Sequence, residues 1–437
     1  MKKSLLFAFA AVSFCACTSD DSLGNSGVNE GDTNGAKIEI GVAQKASTSR
    51  GTGTVGGVVD PTGNAANDRY LLDNKWYGQT LNVFMFEKET LNYALDSDGT
   101  PIFDGDDMTA PETDGTITAD AGTMENIAER ADKAVKYYPT TGTYDFWGLH
   151  VDDAANVADI SANADNTQLL LDFTINGSQD IMTAKADPNV DLLQDPTATV
   201  DPERLYSAYS SRKGVRPELL FQHELARLTF SLEGANEAVC DAGDPTLGVQ
   251  GHGVQVTGVV VRSAATGQII VAYTPAGEPA DGVRAVFGTE PADTADLSLM
   301  QRDATAANIY NAPLVALEPV FPEWDDVNDT AVETAIGEAL LVAPSDSLEI
   351  TIAMKQNVIT DMTDPLNPGS EDKEFDYKTT LYYPSLAAFQ AGTGYPGFEK
   401  GKSYNIKFKV YSLERIDIIT NLTPWNYEGD IYVDEDA

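Results

Sequence analysis

The chain has 437 residues, with 28 lysines and arginines against 68 aspartates and glutamates, a formal net charge of −40. A surface of that sign repels phosphate backbones and no basic stripe offsets it, which argues against nucleic acid as a partner. Three cysteines and three histidines are too few for a disulfide framework or a structural zinc site, so apolar burial must hold a core for which two domains of ordinary size leave room.

At the start, Lys2 and Lys3 precede a short apolar run that ends at Ala16-Cys17-Thr18-Ser19. A basic opening, a brief apolar stretch and a small residue before the cut form the layout of a secretory signal peptide, too short to span a bilayer as a helix. The segment resembles a bacterial lipobox. Cys17 follows the small Ala16 whereas Cys15 follows Phe14, so residues 1–16 read as the signal peptide and Cys17 as the lipidated residue; ordinary secretion with cleavage nearby is the alternative. Residues 17–35 are polar and Gly-rich, a flexible tether.

Next, Ile38, Ile40 and Val42 alternate with other residues, which predicts a half-buried strand. A Gly/Thr-rich stretch centred on Arg50 and Gly51 follows. Further strands are expected at residues 81–86, apolar on both faces and therefore central, and at 144–149, 169–175, 254–260, 348–354 and 404–410. Helical periodicity is sparse, with short helices expected at 124–134 and 332–341. Many short strands separated by Gly, Pro, Asn and Asp indicate an all-β fold of sandwiches or barrels. Asp195-Pro196, Asp201-Pro202 and Arg216-Pro217 cluster in a stretch poor in aliphatic residues, which places a domain junction near 215, between sandwiches at 51–215 and 216–411.

Three blocks carry a resemblance. Tyr137-Tyr138-Pro139 with Tyr144-Asp145-Phe146-Trp147 and Asp180-Ile181-Met182-Thr183-Ala184-Lys185 looks like the N-terminal domain of Bacteroidales fimbrillins. The run from Phe221-Gln222-His223-Glu224-Leu225 to Phe230 is similar to the strand that opens their C-terminal domain. The run from Phe398-Glu399-Lys400-Gly401 to Ile406, with Pro424-Trp425, resembles their closing region. The shaft subunit of the minor, short fimbriae is the type it resembles most.

The resemblance implies two tandem transthyretin-like, Greek-key sandwiches with short helices in loops, and a structural subunit of a surface fimbria that supports adhesion. It implies an outer-membrane lipoprotein precursor from which an arginine-specific protease removes an N-terminal strand. A neighbouring copy, or another fimbrial subunit, then fills the vacated groove. On this chain Cys17 would carry the lipid, residues 36–50 would be the removable propeptide, Arg50–Gly51 the processed bond, and 412–437 the donor tail.

Within that tail, Ile416 and Ile418 flank Asp417, and Ile431 and Val433 flank Tyr432. Either pair suits a groove, and for one of them the final strand of the chain's own domain is the expected reading. The segment from Trp425 to Val433 is taken as the intermolecular one.

No nucleophile elbow, phosphate loop or paired metal motif occurs, so no enzyme activity and no cofactor are expected. His223 and His150 read as structural histidines. Asp96-Ser97-Asp98-Gly99-Thr100 has acidic residues in a calcium-loop style, but its glycine and terminal acid are misplaced, so a solvated hairpin turn is expected. Two other functions stay open. One is a surface lipoprotein that binds a glycan or host ligand without polymerising; the other is a glycan hydrolase, marked by a carboxylate pair in a deep cleft.

Overall fold

Period-two burial of apolar side chains organises the chain into strands nearly everywhere it is described. A computed structural model of the protein describes residues 35–44, 80–109, 129–130, 135–151, 159–186, 204–244, 249–303, 313–361, 363, 369–392 and 395–423. All of these except Gly35 belong to one unit, Ala36–Ala437. The fold is all-β.

The first sheet has seven strands: β1 (Gly41–Gln44), β2 (Thr80–Glu87), β3 (Asp104–Thr109), β4 (Glu129–Arg130), β5 (Tyr144–Val151), β8 (Ile181–Lys185) and β9 (Glu218–His223), in the order β1-β9-β8-β5-β2-β3-β4. Its central strands are covered on both faces. Leu81, Val83 and Met85 of β2, with Phe146 of β5, enter one apolar cluster; Phe84 and Phe86, with Trp147 and Leu149, enter another. Residues 81–86 are all buried, as expected for a doubly covered strand, and the one polar residue among them, Asn82, donates Nδ2–H to Gly105 O at 3.2 Å.

The second sheet draws on both halves of the sequence. Strands β6 (Ser161–Ala162) and β7 (Gln168–Thr174) are joined by β12 (Thr266–Tyr273) and β13 (Ala285–Phe287), in the order β13-β12-β7-β6. Antiparallel pairing runs from Thr266 opposite Thr174 to Tyr273 opposite Gln168. The ring of Trp147 meets that of Tyr273 edge-on at 4.6 Å, so this sheet covers one face of the first.

Three two-stranded ribbons and two four-stranded sheets make up the rest of the described strands. One four-stranded sheet contains β10 (Ala226–Gly234), β15 (Thr334–Val342), β18 (Ser403–Ser412) and β19 (Arg415–Thr423), ordered β15-β10-β18-β19. The other contains β11 (Val254–Ala264), β14 (Thr294–Ser298), β16 (Ser347–Asp361) and β17 (Gly369–Tyr382), ordered β14-β11-β16-β17. Their apolar faces share one cluster, which includes Leu228, Phe230, Val259, Ile350, Ile406 and Phe408.

Three expectations change. Residues 332–341, expected to be helical, lie largely in β15, which pairs with β10. Gly337, at φ +61°, sits where the register shifts between Leu228 and Phe230. The Ala/Leu/Glu content of the segment favours a helix, but pairing with a buried strand overrides that weak preference. At 124–134 the described residues Glu129 and Arg130 pair with β3 rather than forming a helix; the remainder lies outside the described residues.

The run 221–230 is not one strand. β9 ends at His223 and β10 begins at Ala226, and between them the buried Glu224 accepts from Thr183 Oγ1 at 2.7 Å and pairs with Lys400 at 3.0 Å. The strand expected from Leu219 exists as β9, but it joins the first sheet. Sheet membership changes between His223 and Ala226. The two short described α-helices are α1 (Ala208–Ser211) and α2 (Leu386–Ala391).

Candidate functional site

Residues 36–44 form an extended ribbon that is sewn into the first apolar cluster from three sides. Tyr138 N–H donates to Ala36 O at 2.9 Å, Ile38 N–H donates to Lys136 O at 2.9 Å, and Lys37 bridges Tyr137 in antiparallel fashion. From the other side Ser211 Oγ, at the end of α1, donates to Lys37 O at 2.7 Å. Beyond that point the ribbon becomes β1 and runs parallel to β9, with Gly41 opposite Glu218 and Val42 opposite Leu219; Gly41 N–H donates to Pro217 O at 2.9 Å.

Alternation does the rest. Ile38, Ile40 and Val42 are 7%, 1% and 0% exposed, and they share a cluster with Phe146, Tyr206, Leu219 and Phe221. At about 1.5–3 kcal/mol per buried side chain, these three contribute roughly 5–9 kcal/mol to seating the ribbon. Lys37 and Glu39 point outward and pair at 2.8 Å. An exposed pair of this kind adds little. β1 is also the outermost strand of its sheet, so its far edge carries no described strand.

One polar group lies within this apolar seam. Glu218, on β9 directly opposite Gly41, is 2% exposed, and its carboxylate pairs with the Arg216 guanidinium. Burial pushes its carboxyl above the ordinary glutamate range, and the nearby Arg216 charge only partly opposes that shift. A Cβ built on Gly41 would overlap the Glu218 carboxylate, so the ribbon approaches β9 at a point where only glycine fits against that rotamer. Sequence reasoning missed Gly41, Arg216 and Glu218. The signal was an acid between Pro217 and the apolar run Leu219-Leu220-Phe221, where a charge is seldom buried without a partner.

The other expected site residues divide into two groups. Cys17, Arg50, Gly51, Trp425, Ile431 and Val433 lie outside the described residues. Ile416 and Ile418 belong to β19, antiparallel to β18, which makes this pair the last described strand of the chain's own sheet. Ile416 is buried, whereas Ile419 and Leu422 are exposed.

Both histidines weighed in the sequence have structural partners. His223 Nδ1 lies 2.6 Å from Asp180 Oδ2, both residues buried, and the buried His150 has its Nδ1 2.8 Å from the O of Thr80 at the exposed start of β2. Near them, Arg284 donates Nε–H to Ile270 O at 2.8 Å and its guanidinium lies 5.2 Å from the Trp147 ring centre; burial pushes its pKa down to about 10. Lys185 approaches the same ring at 4.6 Å. These cations brace the junction between the first two sheets.

The acidic loop at 96–100 is a turn. Asp96 Oδ1 accepts from the backbone N–H of Asp98 and of Thr100, both at 2.9 Å, and these bonds hold its carboxyl below the usual range. Among the described residues, no group of three or more His, Cys, Asp or Glu side chains is placed to hold a metal ion.

No protein-family model and no curated protein matches the chain. Solved structures do. A protein from Bacteroides uniformis, provisionally described as a cell adhesion protein, is similar at 12% identity and a TM-score of 0.41, over 89% of this chain and 98% of its own. A protein from Bacteroides eggerthii with the same provisional description is similar at 9% identity and a TM-score of 0.40, over 91% of this chain and 98% of its own. The fimbrial anchor protein Mfa2 from Porphyromonas gingivalis is similar at 9% identity and a TM-score of 0.31, over 88% of this chain and 98% of its own.

Proposed function

We propose that the chain is a structural subunit of a surface fimbria, and that residues 36–44 are a built-in occupant of a strand slot that a neighbouring copy later fills. The observation that carries this reading is the seating of the ribbon: an N-terminal segment supplies Ile38, Ile40 and Val42 to the core, and its strand β1 lies at the outer edge of its sheet. Removing it would leave β9 with unpaired backbone groups above an apolar trough, the setting in which an extended segment adds as a strand.

Cleavage supplies the switch. While the ribbon stays attached it competes for the slot at an effective concentration of about millimolar, and a neighbour's strand at lower concentration loses. A cut at Arg50–Gly51 turns the ribbon into a separate peptide and lets exchange proceed. In this reading Cys17 tethers the precursor to the outer membrane, an arginine-specific protease makes the cut, and the segment from Trp425 to Val433 is the incoming strand. Copies of this chain and other fimbrial subunits are its partners, the role is adhesive and structural, and catalysis has no part in it.

The test is the Arg50→Ala chain, expressed in cells with an arginine-specific protease and viewed by electron microscopy. The expected result is intact monomer without filaments. Filaments of normal length from that variant would overturn the strand-replacement reading.

A further inference from the structure

The slot occupied by the ribbon is uniform except at one position. On the core side Ile38, Ile40 and Val42 face an apolar trough formed by Phe146, Leu219 and Phe221. On the other side of the ribbon, at residue 41, the slot is closed by a carboxylate rather than by an apolar wall. Glu218 lies over Gly41, held by the Arg216 guanidinium, in a space that a single added methyl group would invade.

We propose that Glu218 is the register key of the slot: its buried carboxylate admits glycine at the position of residue 41 and must be driven out before any larger side chain can occupy that position. This rests on the reading of residues 36–44 as an exchangeable strand, and it names what the slot selects. The preferred occupant is an extended segment in which a glycine lies between two apolar β-branched residues, as in Ile40-Gly41-Val42. The tail offers Ile431-Tyr432-Val433, the same apolar pair with tyrosine between. Set in the ribbon's register, that tyrosine displaces Glu218 into solvent. The two occupants therefore leave the carboxylate in opposite states, buried beneath the ribbon and hydrated beneath the tail.

That difference gives the slot a pH response with a definite sign. The charged residues on the elements that border the ribbon are Arg216 before β9, Lys37 and Glu39 on the ribbon, and Arg212 and Lys213 after α1. Lys37 and Glu39 pair with each other, Arg212 and Lys213 are exposed, and Arg216 is the charge that acts on the carboxylate. With the ribbon seated, burial raises the Glu218 pKa above the ordinary glutamate value, to which hydration in an open slot would return it. Seating is then fully favoured below the open-slot pKa and weakens as pH rises through the raised one.

The experiment follows amide hydrogen exchange in the intact, uncleaved chain, reading the peptide over 36–44 against a control peptide in β16. Gly41→Ala is expected to raise ribbon opening about tenfold or more with Glu218 present, and far less when combined with Glu218→Ala. Glu218→Gln, which keeps the shape and removes the charge, is expected to retain the Gly41→Ala penalty. The same variant should abolish the rise in opening with increasing pH that the unmodified chain is expected to give after correction for intrinsic exchange.

An equal effect of Gly41→Ala whatever stands at 218 overturns the inference, as does a pH response that survives Glu218→Gln. Should Gly41→Ala unfold the control peptide, the pH comparison on the Gly41 chain decides alone. No filament enters the measurement, so its failure leaves strand replacement standing, and filaments from Arg50→Ala would sink that reading without touching the exchange result.

Discussion

Strands β1 and β19 both border a sheet, yet they are built for different purposes. β19 follows β18 through the two residues Leu413 and Glu414, with Ser412 opposite Arg415, so its antiparallel pairing costs little loop-closure entropy. Its alternation is one-sided and loosens along its length, from buried Ile416 to exposed Leu422. β1 instead pairs in parallel with a strand far along the chain, the geometry that is slightly weaker per residue, and its ribbon compensates by committing every second side chain to the core. A border strand held by its hairpin is part of the domain. One that joins the edge through a short parallel ladder and commits its side chains to the core is the kind of strand that the proposed exchange would replace.

Substitutions can break or sharpen this contrast. The largest effect is expected from Ile40→Ala, which removes a fully buried side chain and should weaken ribbon seating by about 2–5 kcal/mol. Limited proteolysis should then release the ribbon while thermal unfolding of the β10–β19 region stays in place; a shift of the whole unfolding transition by that amount would mean that the ribbon is integral and not replaceable. Ile416→Val at the buried start of β19 is expected to cost about 0.5–1.5 kcal/mol. This loss should appear in the global denaturant midpoint and leave exchange of residues 36–44 unchanged. Ile419→Ser, on the exposed side of the same strand, is expected to stay within about 0.5 kcal/mol of the parent chain by denaturant titration.

The strands were legible in the sequence wherever alternation was clean. β2, β5, β7, β11, β16 and β18 lie where their apolar periods predict, and Ile38, Ile40 and Val42 carry enough pattern to mark a strand that the structure buries. What the pattern could not reveal depends on partners remote in sequence. Residues 332–341 have helical composition, and only the pairing with β10 around Gly337 makes them a strand. The run 221–230 reads as one continuous strand because nothing local announces that Glu224 will meet Thr183 and Lys400 where the chain changes sheets. In the sequence Gly41 is only an intervening residue of an alternating run; its meaning comes from Glu218, which lies opposite it on β9.

The second sheet carries a mechanical consequence. Its middle pair, β7 and β12, joins residues 168–174 to residues 266–273 by an antiparallel ladder, and Lys400 reaches from beside β18 to Glu224 and to Gly282 O at 2.8 Å. If the chain were pulled between β1 and the last described strands, the load would not fall on the backbone between His223 and Ala226 alone. Pulling the two ends apart would strain the ladder and the crossing together, so the ladder shares the load with the backbone.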